Sequence, residues 1–338
     1  MRKKEISMER NIQIMEELTR FPKTQTNVSL SKFIDMNFQA FAKSGKSVRE
    51  IYDFLKDGKI DVSSFHVFRT LFSKVKTYQK LKLGTKGFEI EMKARKNMKN
   101  LVYVGGSKGG TGKSMVCMAL VDYFRKKFPQ DEILLIETDS SNPDVGRLYR
   151  KTERVILRGL FLDEEDSAWM AMVDDIAKTP ARHVIVNSMA ASNLGIQNHG
   201  ALLDKNILNG RLDVKFSVFW SMNRNKDSVV LLKDFLTWMQ SATVYPVLNL
   251  YFGKEEEFLF YRTASDIQRT IFERGGQSIV FPSLNDLIAD RLYTDEINLE
   301  ELPSHLGLGM LTGLERWLSV VKDTFDQVKF APTANETY

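Results

Sequence analysis

Cysteine occurs once in the 338 residues, at Cys117, and histidine only four times, at scattered positions. A single thiol can close no disulfide within the chain. No spacing of His, Cys, Asp and Glu offers a protein-built zinc site either. No stretch reaches the ~18 uncharged apolar residues that a membrane-spanning helix needs. The opening residues, Met1-Arg2-Lys3-Lys4-Glu5, are charged and lead into no apolar segment of the kind a secretory signal carries. No internal repeat is visible. These absences set aside disulfide-stapled, zinc-built and membrane-spanning classes, and they predict a cytoplasmic protein. What is present is ample for folding: 43% hydrophobic residues predict packed cores, and the length predicts two domains.

The net charge of +5 is unevenly spread. Residues 1–100 carry 22 Lys and Arg against 11 Asp and Glu, whereas residues 101–338 carry 26 against 32. A basic front end therefore precedes a mildly acidic body. Such a segment favours a polyanion through counterion release, and nucleic acid is the natural partner.

The front segment patterns as short helices. Residues 8–20 and 29–42 read as two, the second with Phe33, Ile34, Phe38 and Phe41 on one face. Ser47 with Glu50 forms a capping box for a helix carrying Val48, Ile51, Tyr52 and Leu55 at helical spacing. Asp57-Gly58 ends it, since glycine suits a left-handed C-terminal turn. Ser63 then caps a further helix with Phe65, Phe68, Phe72 and Val75 inward. Two amphipathic helices about a glycine turn resemble a helix-turn-helix. In that reading Ser64, His66, Arg69 and Thr70 approach bases, and Lys74 and Lys76 meet phosphates. The expected organisation is a helical, DNA-binding-like domain at 1–80, a basic linker at 81–99, a body at 100–330 and a polar tail at 331–338.

The body opens with its strongest motif. Leu101-Val102-Tyr103-Val104 reads as a strand, Lys108-Gly109-Gly110-Thr111-Gly112-Lys113-Ser114 as a loop, and Met115 to Phe124 as a helix. Strand, glycine-rich loop and helix in that order form a phosphate-binding loop. The glycines let backbone N–H groups of Gly109, Gly110, Thr111 and Gly112 turn inward, and the helix adds its positive end. Lys113 reaches the β- and γ-phosphates of a nucleotide, and the Ser114 hydroxyl faces Mg²⁺. The first position of the common Gly-x-x-x-x-Gly-Lys-Ser spacing holds Ser107, with Gly106 one residue earlier and a second lysine, Lys108, one later.

That seven-residue pattern resembles the deviant Walker A motif of the ParA/MinD family of dimerising ATPases. The resemblance implies an α/β fold: a doubly wound, mostly parallel P-loop NTPase sheet, here preceded by a small all-α domain. It implies ATP with Mg²⁺, and a nucleotide-dependent homodimer in which Lys108 crosses to the partner's phosphates. It also implies a role for the strand Ile133-Leu134-Leu135-Ile136, which ends Glu137-Thr138-Asp139: Asp139 positions the attacking water, and Glu137 is the acid on the Mg²⁺ side. Asn249, carried on a strand over 244–251, is the candidate for the residue that in the family recognises the base. Ile288-Ala289-Asp290 opens a segment that packs near the nucleotide in relatives.

The chain departs from the family at the strand His183-Val184-Ile185-Val186, which runs into Asn187-Ser188 where an acid should hold Mg²⁺. Asn187 can accept a hydrogen bond from a Mg²⁺-bound water but brings no charge. Slow ATP hydrolysis is the expectation, with Asn187→Asp expected to raise turnover. The amphipathic segment Leu311 to Val328 is expected to pack on the core rather than on a membrane, given Glu315, Asp323 and Asp326. Plasmid ParA proteins with front helix-turn-helix domains, and TraL-like conjugative transfer ATPases, are the nearest resemblances. The function expected is a DNA-associated ATPase of a mobile element, in segregation or conjugation, with a DNA-binding or transfer protein as partner. The alternative is an ATP-sensing transcriptional repressor with little hydrolysis.

Overall fold

The computed structural model describes residues 34, 52, 53, 56, 72, 98–106, 109–139, 142–162, 166–190 and 192–331. The chain divides into one unit of residues 98–331 and a second comprising 1–97 with 332–338. In the second unit the described residues are helical; Ile34, Tyr52 and Phe72, all expected to face inward, are buried. The predicted DNA contacts Ser64, His66, Arg69, Thr70, Lys74 and Lys76, and the loop lysine Lys108, lie outside the described residues.

Unit 98–331 is built on a seven-stranded sheet in the order β3-β2-β4-β1-β5-β6-β7. Its strands are β1 (Lys99–Gly106), β2 (Ile133–Glu137), β3 (Val155–Gly159), β4 (His183–Asn187), β5 (Val214–Met222), β6 (Thr243–Asn249) and β7 (Ile279–Phe281). Every neighbouring pair is parallel. The inner strands are covered on both faces, which is why they read as continuous apolar runs rather than alternating ones. Alternation reappears in where the side chains go: Val102 and Val104 enter one core, Leu101 and Tyr103 the other.

The direction of each step across the sheet decides which face its helix covers, because parallel crossovers are right-handed. Steps toward β3 carry α1 (Lys113–Lys127) and α2 (Asp144–Tyr149) over the first face. Steps the other way carry α3 (Asp166–Lys178), α4 (Asn193–Leu208) and α5 (Lys226–Trp238) over the second. A short α6 (Leu259–Arg262) and α7 (Ser265–Glu273) continue that layer. After β7, α8 (Asp286–Thr294) and α9 (Leu308–Asp326) fold back onto the first face. This is the doubly wound P-loop sheet expected from the loop.

The long last helix is a core element. Leu314, Trp317, Val321 and Phe325 of α9 are buried against the first face. Its end is tied to α1: Asp326 accepts from Tyr123 Oη at 2.7 Å and Lys127 Nζ at 2.9 Å. No helix among the described residues is long and apolar enough to cross a membrane. Cys117 is buried in α1, with its thiol pushed up by burial, as suits a packing residue.

At the amino end of the sheet a polar knot joins four distant segments. His183 is fully buried, flanked by Phe124 and Phe128. Its Nε2 lies 3.1 Å from Asp131 Oδ2, and its Nδ1 lies 3.2 Å from Asn100 Nδ2. One tautomer serves both contacts: Nε2–H donates to the carboxylate and Nδ1 accepts from the amide. Asn100 Oδ1 in turn accepts from Ala331 N at 2.6 Å.

Candidate active site

The chain leaves β1 toward β2 and leaves β4 toward β5, in opposite directions, so a crevice opens at the carboxyl ends of these adjacent strands. A cleft of about 510 Å³ fills it. Gly109, Gly110, Gly112, Lys113 and Ser114 line one side, with Asp139, Asn187, Ser188 and Asn249 around them. Pro282, Ser283, Asp286, Ala289, Asp290 and Tyr293 form the wall beyond β7. The segment expected near the nucleotide, Ile288-Ala289-Asp290, thus contributes two lining residues.

The loop holds its shape through glycine and through two unexpected braces. Gly110 and Gly112 have φ of 75° and 89°, backbone that side-chain-bearing residues rarely adopt. A Cβ on Gly112 would strike the Asn249 amide, whereas one on Gly110 would meet nothing within 4 Å. Gly106 has a different reason: its Cβ would stand 2.8 Å from Ser221 O and 2.9 Å from Thr111 Oγ1. The carbonyl of Thr111 accepts from Ser221 Oγ at 2.6 Å and from Asn249 Nδ2 at 3.1 Å. Asn249 Oδ1 meanwhile accepts from Tyr251 N at 3.1 Å. Asn249 therefore lines the cleft while bracing the loop from β6, and Ser221, which sequence reasoning missed, does so from β5.

Lys113 is buried to 8% exposure, and burial lowers its pKa, with Asp139 opposing that shift. A cradle of inward backbone, small residues and one buried lysine fits phosphate. Asp139 lies in the cleft and accepts from Asn142 N at 3.0 Å.

Glu137 and Asn187 end adjacent strands in register, on the same face as α1. Asn187 Nδ2 donates to Glu137 Oε1 at 3.0 Å and to Oε2 at 3.1 Å. Glu137 also accepts from Gly146 N at 3.0 Å and from Asp139 N at 3.4 Å. Burial raises its pKa, and the bonds from Asn187, Gly146 and Asp139 oppose the rise. The lining residues include Asn187 but not Glu137. The two strand ends are bolted by Thr138, whose hydroxyl donates to Asn187 O at 3.0 Å and accepts from Met189 N at 2.8 Å.

One buried polar atom at the cleft has no hydrogen-bond partner, Asn187 Oδ1. Its residue is 3% exposed. An unsatisfied buried polar group costs ~1–3 kcal/mol, so such an atom fits a site whose ligand supplies the missing partner. Ser114 and Asn187 are the residues suited to a hydrated divalent ion there, and the donor set is the oxygen-rich kind that Mg²⁺ takes. The structure also alters the expectation for Asn187→Asp, since that change sets a second carboxylate against Glu137.

The chain is similar to Protein MobD of Acidithiobacillus ferrooxidans: 35% identity over 230 residues, covering 68% of this chain and 98% of that protein. Among solved structures it is similar to a ParA family ATPase from Chlorobium tepidum, at 13% identity and a TM-score of 0.39, covering 66% of this chain and 98% of that one. It is also similar to a plasmid partition protein from Borrelia burgdorferi, at 12% identity and a TM-score of 0.39, covering 68% and 100% of the two chains. No protein-family model matches the chain.

Proposed function

From the premise that this chain belongs to the MobD family, we propose that it is a P-loop ATPase that dimerises on ATP and associates with DNA in the segregation or transfer of a mobile element. The observation that carries this is the loop segment Gly109 to Ser114, seated at the crevice with its glycines and Lys113 lining the cleft. Each loop group has one task in phosphoryl transfer, which asks the protein mainly for position and charge. Backbone N–H groups and Lys113 hold the phosphates, Ser114 faces the cation, and Asp139 orients water. Lys108 acts in the partner's site. Bound there, a divalent ion accompanying ATP would neutralise phosphate charge. The phosphates themselves would supply part of such an ion's coordination.

The basic front segment supplies DNA affinity, and the nucleotide state controls it through dimerisation. The test is oligomeric state and binding to a random duplex without nucleotide, with ADP and with ATP, alongside Lys108→Ala. An ATP-dependent dimer that binds DNA, lost in the variant, supports the reading. Equal DNA binding in every nucleotide state overturns the switch. A neutral Asn187 where an acid is expected favours slow turnover, so that ATP acts chiefly as the lock of the dimer. Hydrolysis measured with and without DNA decides how far that goes.

A further inference from the structure

The acid and the amide at the ends of β2 and β4 stand in a fixed relation. A carboxylate only accepts hydrogen bonds, so the face of the Asn187 amide toward Glu137 must be its NH₂. The carbonyl Oδ1 is then turned away from Glu137, at a residue that lines the cleft, and it meets no donor in the protein. Glu137 is itself kept in place from two further directions, by Gly146 N at the start of α2 and by Asp139 N. The strand register and the Thr138 bolt leave neither side chain a shifted backbone to follow.

We infer that Glu137 is a positioning residue: it locks the Asn187 amide so that Oδ1 is presented as a neutral acceptor to the water shell of the cation accompanying ATP, and does not itself face that shell. The negative charge that the expected acid would bring is thus held one residue back from the cleft. This rests on reading the cleft as an ATP site. It assigns to Glu137 a role different from the Mg²⁺-side acid that the family resemblance implies.

Two isosteric substitutions test it. Glu137→Gln offers Asn187 one oxygen and one NH₂, so the amide loses its enforced orientation. Asn187→Asp removes both donated bonds and opposes two carboxylates. Made together, they restore one acid and one amide, now exchanged, with the acid at the cleft. Binding of a fluorescent ATP analogue to the full chain is measured in excess Mg²⁺ and in excess EDTA, with thermal unfolding of each variant without nucleotide. The expected result is an unchanged affinity in EDTA for Glu137→Gln. Its Mg²⁺-dependent gain should fall roughly 10–100-fold, as for lost outer-shell partners of metal ligands. Asn187→Asp should lose the gain similarly, and the double variant should recover most of it, a coupling that independent sites do not show. Asn187→Ala, which removes the acceptor and leaves Glu137 its two backbone donors, should lose the gain as well. It carries the test if Glu137→Gln does not fold.

A Mg²⁺ gain indifferent to Glu137→Gln, or two single losses that simply add in the double variant, overturns the proposal while leaving the nucleotide site standing. Failure of the native chain to bind the analogue in either condition overturns both.

Discussion

Single residues in the loop differ in what they forbid. Gly110→Ala meets only the cost of a left-handed backbone, ~1–2 kcal/mol, because nothing stands near its Cβ. Gly112→Ala bears that cost and also displaces the Asn249 amide from Thr111 O. Urea unfolding should therefore rank Gly112→Ala as the more destabilised, and only that variant should lose most nucleotide affinity; equal losses would contradict the bracing role of Asn249. Ser221→Ala removes the second brace and should cost ~1 kcal/mol in the same assay. The loop was legible because its chemistry is consecutive in sequence. Ser221 bracing Thr111, and Glu137 holding Asn187, were not, because each contact depends on which strands are neighbours. Nothing local in Phe216 to Met222 distinguishes a serine that braces a loop from one that fills a strand.

Whole elements carry the next tier of consequences. Strands ending at Glu137, Asn187 and Asn249 could be read from apolar runs, since burial on both faces leaves an unmistakable composition. The edge strand β3 could not: Val155-Ile156-Leu157 is short, flanked by Arg154 and Arg158, and Ile156 and Leu157 remain exposed. For α9 the core-packing expectation holds, with Trp317 as its largest buried anchor. Trp317 also donates from Nε1 to Pro282 O at 3.0 Å, in the cleft wall. Trp317→Ala should cost ~3–5 kcal/mol in unfolding free energy and weaken nucleotide binding; loss of stability with undiminished affinity would separate α9 from the site. The knot at His183 predicts a pH dependence. Burial holds its pKa down, at about 4, with Asp131 opposing. The unfolded chain protonates near the ordinary value of 6.5, so between pH 6.5 and 4 only the unfolded state takes up the proton. Stability from this group is complete above pH 6.5 and is lost as the pH falls toward 4, by roughly 3 kcal/mol. Denaturant melts at pH 7 and 4.5 should show the loss, and His183→Gln should flatten that part of the profile.

For the molecule as a whole, charge and length point to a division of labour. The 230 residues aligned with MobD make up 98% of that protein, so the relative has room for a body like 98–331 and little else. If the proposed DNA association resides in the basic front segment, residues 98–338 alone should fold and bind nucleotide while losing most DNA affinity and most of its salt dependence. Undiminished DNA binding by the shortened chain would place the interaction on the acidic body. The basic charge that marks the front segment was plain in the sequence. Its arrangement was less so, because any small bundle of amphipathic helices produces the same periodicity. Asn100 receives the amide of Ala331, so the thread enters and leaves the body through a single doorway. The cleft lies at the opposite rim of the sheet, beyond the carboxyl ends of the strands. A circular permutant follows from the same geometry: with residues 331 and 98 joined by a short linker and the chain opened at the exposed Gly210, the body should still assemble, its order of threading rewritten and its cleft unchanged.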